Sequence, residues 1–173
     1  MLSGYFHKIK STLLWSVVPD LSSQHIKTMH MARIKLNFPD KVLFTTELSI
    51  RVNDLNYGGH VGNDSILTLM HEARFRFLRS MGYKDELTLD NHVGIIVSDV
   101  AIVYKSESFF GDSLTIEVAT DDFSKYGFDM YYGIKNKQTG RQVAVGKTGI
   151  VCMDYKQRKI ATIPEALLNA LQA

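Results

Sequence analysis

The chain has 173 residues, 45% of them hydrophobic and 22% charged, with 20 basic and 18 acidic side chains and a formal charge of +2. That length suits one domain with a substantial core, burying roughly 70% of the surface the unfolded chain exposes, and is short for two. So small a net charge excludes a protein built to grip a nucleic acid, and no apolar run approaches the roughly 20 residues that cross a bilayer. The single cysteine, Cys152, excludes an intramolecular disulfide. It suits a reducing compartment, so the expectation is a cytoplasmic protein with Cys152 as a small apolar residue inside a strand.

Residues 1–40 read as an N-terminal extension to a domain over 41–173. Lys8 and Lys10 precede a short apolar run at 13–18, with no small-residue cleavage site before Pro19-Asp20, which argues against a secretion signal. Phe6, Ile9, Leu13 and Val17 recur every three to four residues and predict a short amphipathic helix, packed on the domain in preference to lying on a membrane surface. Met29 and Met31 also read as alternative starts, in which case the first 28 residues are dispensable for the fold.

From Leu43 the period changes to two. Leu48, Ile50 and Val52 alternate with Glu47, Ser49 and Arg51, the pattern of a half-buried strand, which ends at Asn53-Asp54. Gly58 and Gly59 permit positive φ and close approach by a ligand, and Asn63 or Asp64 is placed to cap the helix that follows. Ile66, Met70, Ala73, Phe77 and Met81 mark that helix, of roughly 20 residues and about 30 Å, with Gly82 as its C-terminal cap. Strands are predicted at 94–104, 113–120, 127–135 and 142–154. Their connections are short and turn-like, so neighbouring strands are antiparallel. No second long helix separates them, which excludes a parallel doubly wound sheet. Residues 163–168 read as a short helix with Pro164 in its first turn. The fold class is α+β.

One place gathers chemistry. The strand delivers polar and glycine residues into the loop 54–63, and the loop opens the long helix, whose first N–H groups carry partial positive charge. An oxygen that gains negative charge during a reaction would be stabilised there. Nearby ionisable candidates are His60 and the carboxylates Asp54, Asp64 and Glu72. Each has a structural alternative. His60 can satisfy loop backbone groups, Asp64 can cap the helix, and Glu72 stands four residues before Arg76, the spacing of a helical ion pair. Glu72 also lies about 13 Å along the helix from Asn63, so it meets the loop only if the loop folds over it or a partner subunit supplies a second loop. His7, His25, His30 and His92 show no ligand spacing with acids or Cys152, so no metal and no cofactor is expected.

The motif Asp54-x-Asn56-x-x-Gly59-His60-Val61-x-Asn63, followed by Glu72-Ala73-Arg74, resembles the 4-hydroxybenzoyl-CoA thioesterase-like acyl-CoA thioesterases. Their loop usually reads Asp-x-Asp-x-x-Gly-His-Val-Asn-Asn, with Glu-Ala-Arg on the helix. Tyr104 at a strand end, Gly111-Asp112-Ser113-Leu114 and Ile163-Pro164-Glu165 are further landmarks, and the similarity covers about residues 43–171. The resemblance implies a hotdog fold, one long central helix wrapped by an antiparallel sheet of five to six strands. It implies hydrolysis of acyl-CoA or acyl-carrier-protein thioesters, as in fatty acid metabolism, by a homodimer or homotetramer with its site between subunits. The catalytic set it implies is Asn56, His60 and Glu72, with Gly58, Gly59, Val61, Asn63 and Asp64 binding substrate.

Two positions depart from the pattern. Asn56 stands where the family usually has its second aspartate, and Gly62 where it has the first asparagine of the pair. An amide cannot take a proton near neutral pH, so Asn56 is read as orienting water or substrate. The alternative is a hotdog protein that binds an acyl thioester or another apolar ligand without hydrolysing it. A hydratase or dehydratase ranks third, because that branch carries prolines after the loop histidine and this chain has none between Pro39 and Pro164.

Overall fold

A computed structural model describes residues 34–173. The amphipathic helix expected from Phe6, Ile9, Leu13 and Val17 lies outside the described residues. In chain order the elements are β1 (Phe44–Ser49), α1 (Asn63–Ser80), β2 (Val93–Tyr104), β3 (Ser113–Asp121), β4 (Gly127–Asn136), β5 (Gln142–Asp154), β6 (Lys159–Ile160) and α2 (Glu165–Gln172). The strands form one six-stranded sheet in the order β1-β3-β4-β5-β2, with β6 paired to β5. Every pairing is antiparallel. This is the α+β hotdog arrangement expected from the sequence.

Alternation builds the core. Leu114, Ile116 and Val118 of β3 and Met130, Tyr132 and Ile134 of β4 are fully buried, and they join Ile66, Leu69, Met70, Ala73 and Phe77 of α1 in one cluster. Full burial of each large apolar side chain stabilises the fold by about 1.5–3 kcal/mol before cavity and entropy terms. Gly146 lets the helix sit close to β5: a Cβ there would stand 2.5 Å from Met70 Sδ. The helix also carries one charge inward. Arg74 is buried and donates to Glu86 through Nε at 2.9 Å and Nη2 at 3.3 Å, which ties α1 to the segment before β2.

Several local expectations change. The first strand stops at Ser49 and a 3-10 turn follows at Val52–Asp54, so Ile50 is buried as expected but Val52 is exposed. The reason is Asp54, whose carboxylate accepts the Arg51 backbone N–H at 2.8 Å and the guanidinium at 3.2 and 3.3 Å, closing the turn. Neither Asn63 nor Asp64 caps α1; the N-cap residue is Gly62, without a side-chain cap. Gly82 does end the helix, with φ of +91° and its N–H on the Arg79 carbonyl, while the Tyr83 N–H bonds Leu78. Pro164 is the N-cap of α2 and so lies just outside the helix. Consecutive strands β2 and β3 are not neighbours. β2 pairs with β5 at one edge of the sheet and β3 with β1 and β4 toward the other, so residues 105–112 cross between them. That crossover forms a wall of the site.

Candidate active site

The loop after the 3-10 turn is a small closed structure. The Asn56 N–H donates to the His60 carbonyl at 2.9 Å, and the Gly59 N–H to the Asn56 carbonyl at 3.0 Å. Gly59 has φ of +80°, a conformation that glycine adopts without a side-chain clash. The Val61 N–H donates to Ser108 in the crossover and the Gly62 N–H to Asp54, both at 2.9 Å. These bonds use the N–H groups of Gly59, Val61 and Gly62 internally. The N–H groups of the first turn of α1 have no carbonyl four residues back within the helix.

Asn56 and His60 form one unit. Asn56 Oδ1 accepts the Gly58 N–H at 2.8 Å, which fixes the amide orientation and turns Nδ2 toward His60 Nδ1 at 3.4 Å. His60 Nδ1 also lies 3.2 Å from the Val61 carbonyl. A carbonyl only accepts, so the shorter contact puts a proton on Nδ1 and leaves the Nε2 lone pair free; the longer one with Asn56 belongs to the other tautomer. Gly58 makes room for the ring: a Cβ there would meet Asn56 Oδ1 at 3.1 Å and His60 Nε2 at 3.2 Å. At Gly62 a Cβ would collide with the Asp64 carboxylate, which folds back over that glycine. That side chain is exposed and Gly62 has φ of −65°, so nothing in the structure requires glycine where an asparagine was expected.

These residues open on a cleft of about 620 Å³. Its walls come from the loop 56–61, the helix residues Asn63 and Ile66, the crossover 104–108 and Val143. Tyr104 donates its hydroxyl to the Asn63 carbonyl at 3.1 Å; burial, aided by the Asp64 carboxylate, raises its pKa and keeps the phenol protonated. On the crossover, the Ser108 hydroxyl at 2.6 Å and the Phe109 N–H at 2.9 Å hold Asp112 Oδ2. The Ser108 hydroxyl and then the Phe109 N–H depress the Asp112 pKa. At Asp54 burial pushes the pKa up, but the Arg51 guanidinium and backbone bonds together outweigh it and the net shift is downward.

Of the residues singled out from sequence, Asn56, Gly58, His60, Val61 and Asn63 line this cleft together. Gly59 shapes the loop behind it, and Asp64 lies over Gly62 at the helix start. Glu72 is elsewhere within the chain. It pairs with Arg76, which also donates to Thr46 Oγ1 and the Glu47 carbonyl, and it lines a second cleft with Arg51 and Leu69. Sequence reasoning missed the crossover side of the site, Lys105, Ser106 and Glu107, because residues 105–112 read as a simple turn. The motif landmarks Tyr104 and Gly111-Asp112 bracket that segment and were the available signal.

With this geometry in view, the model of the thioesterase-like superfamily matches residues 50–171, from the end of β1 to the last turn of α2. The chain belongs to the thioesterase-like superfamily. Among curated thioesterase relatives, it is similar to the 1,4-dihydroxy-2-naphthoyl-CoA hydrolase of Synechocystis sp., 26% identical over 133 residues that cover 74% of this chain and 94% of that one. The crystal structure of a 1,4-dihydroxy-2-naphthoyl-CoA thioesterase from Synechocystis superposes with a TM-score of 0.66 at 24% identity, covering 75% of this chain and 95% of that one. The structure of a gentisyl-coenzyme A thioesterase gives a TM-score of 0.65 at 18% identity, covering 75% of this chain and all 100% of that one. At these identities the two superpositions establish a shared fold. The superfamily match supports thioester hydrolysis as the general activity. No helix among the described residues is long and apolar enough to cross a membrane.

Proposed function

We propose that the chain hydrolyses acyl-CoA thioesters to a free acid and a thiol, with the thioester carbonyl received at the first turn of α1. The observation that carries this reading is the presence of His60 and the start of α1 in one open cleft. Water must be activated, and charge on the carbonyl oxygen must be stabilised as it develops. His60 Nε2 serves the first need and the first-turn N–H groups near Asn63 and Asp64 the second. Gly58, Gly59 and Val61 keep the loop low enough for the substrate to approach. Asn56 takes no proton; its amide oxygen fixes the loop through the Gly58 N–H, and its free NH2 orients the bound thioester.

Coenzyme A as the leaving thiol is supported by the name of the Synechocystis hydrolase. Acyl carrier protein is the second thiol worth testing. The cytoplasm is the compartment this reading assigns, on the strength of the lone cysteine; Cys152 is buried, which pushes its thiol up to about 11 and leaves it unreactive.

A homodimer, or a homotetramer, completes the reading. β2 is a 12-residue edge strand that exposes Ile96, Val97, Val100 and Tyr104 and ends at the cleft. An edge of this length and polarity calls for a partner. Glu72 of one subunit then serves the cleft of the other, since within its own chain it faces a different cleft.

The test is thiol release from a panel of aromatic acyl-CoAs, aliphatic acyl-CoAs of several lengths and acyl carrier protein. Wild type is expected to exceed a His60→Ala, Glu72→Ala double variant. Equal rates would sink the enzyme reading. Asn56 itself favours one second reading, an acyl-thioester-binding protein without turnover. In that case wild type binds acyl-CoA without hydrolysing it, and Asn56→Asp gains turnover.

A further inference from the structure

Among the residues lining the cleft, Glu107 is the sole carboxylate. Its Oε1 stands 3.9 Å from His60 Nε2. The backbone beneath it is fixed on both sides. Arg141 donates to the Glu107 carbonyl at 3.0 Å, and the next carbonyl, that of Ser108, accepts the Val61 N–H at 2.9 Å. His60 and Phe109 also form an antiparallel bridge. The crossover that carries Glu107 is therefore stitched to the loop that carries His60, and the fold itself brings the two side chains together.

The gap exceeds a direct hydrogen bond and suits one water. A water oxygen making two bonds of about 2.8 Å to ends 3.9 Å apart spans an angle of about 90°, close to the angle between its own O–H bonds. We propose that Glu107 is a catalytic carboxylate that holds the attacking water together with His60, in the thioester hydrolysis proposed above, on which this inference rests. With the Nδ1 proton donated to the Val61 carbonyl, His60 Nε2 takes one proton from the water. The second O–H donates to Glu107, which turns the oxygen lone pair toward the thioester carbonyl carbon. A C–O bond forms and the carbonyl π pair moves onto oxygen. Collapse re-forms the C=O bond and breaks the C–S bond, and the imidazolium gives its Nε2 proton to the departing thiolate. A carboxylic acid and a thiol leave. Glu107 ends unchanged, its negative charge having faced the imidazolium while that existed. Asn56 cannot fill this role, because an amide carries no charge.

The test uses the full chain and the acyl-CoA that wild type turns over fastest, with kcat, KM and Tm measured for wild type, Glu107→Gln and Glu107→Asp. Glu107→Gln is expected to lower kcat by about tenfold or more. KM should stay within about twofold, since the interaction is made to the reacting water and not to the bound acyl chain. Tm should not move, because the side chain is 64% exposed. Glu107→Asp keeps the charge and should retain more kcat than Glu107→Gln. Wild-type kcat in Glu107→Gln, with turnover abolished in His60→Ala, overturns the role of Glu107 and leaves hydrolysis standing. A fall confined to KM, or Glu107→Asp no better than Glu107→Gln, also overturns it. Absence of turnover in wild type on every acyl-CoA overturns both proposals.

Discussion

Asn56 uses both ends of its amide, Oδ1 on the Gly58 N–H and Nδ2 toward His60. Replacing it with alanine releases the Gly58 N–H and loosens the loop that carries His60, so Asn56→Ala is expected to lower kcat by about tenfold while the protein still folds, measured as steady-state turnover beside circular dichroism. Gly58→Ala places a methyl 3.2 Å from His60 Nε2 and pushes the ring out of line, with a similar loss of turnover expected and little change in Tm. At this scale the sequence was informative about identity and weak about contact. His60 and Asn56 were singled out because they fall in the loop motif that resembles the thioesterases, and both line the cleft. That the N–H groups of Gly59, Val61 and Gly62 are used internally was not legible, because their acceptors, Asn56, Ser108 and Asp54, are set by the fold. Nor was Glu107, which lies 47 residues from His60 in number and meets it only through the crossover.

The elements that carry these residues are held by a few polar ties. Asp54 closes the turn after β1, and its folded-state pKa is depressed. A depressed carboxylate contributes stability that is present above its unfolded pKa and is lost as pH falls through the folded one. Asp54→Asn should therefore cost about 1–3 kcal/mol at pH 7, with the difference from wild type shrinking as urea denaturation is repeated down through the carboxylate range. A constant difference across that range would contradict the assignment. Arg74 ties α1 to Glu86 from a buried position, and Arg74→Ala should lose about 3 kcal/mol and lower Tm, because Glu86 loses both guanidinium bonds and keeps only the longer contact with His71. The elements themselves were largely legible: apolar runs separated by turn-like connections foretold β2 to β5, and helical spacing with Gly82 foretold α1. The end of β1 was misjudged because Val52 continues the alternation in sequence, while the Arg51–Asp54 bonds turn the backbone there. The strand order was not legible, since a turn-like connection such as residues 105–112 serves a hairpin and a crossover equally well.

In the whole molecule the cleft that holds His60 lies beside the end of β2, an apolar sheet edge. Light scattering should give a mass of at least twice 19.6 kDa for the wild type. Val100→Lys, on the exposed edge of β2, should shift that mass toward the monomer and reduce turnover with it. A stable wild-type monomer with full activity would contradict the shared site while leaving the cleft chemistry intact. Thiol release from an acyl-CoA panel, measured for wild type and His60→Ala at equal enzyme concentration, tests the central claim most directly. The account predicts hydrolysis of at least one acyl-CoA by wild type and a loss of about a hundredfold or more in kcat for His60→Ala. Acyl-CoA binding by wild type with no thiol released from any member of the panel would contradict it.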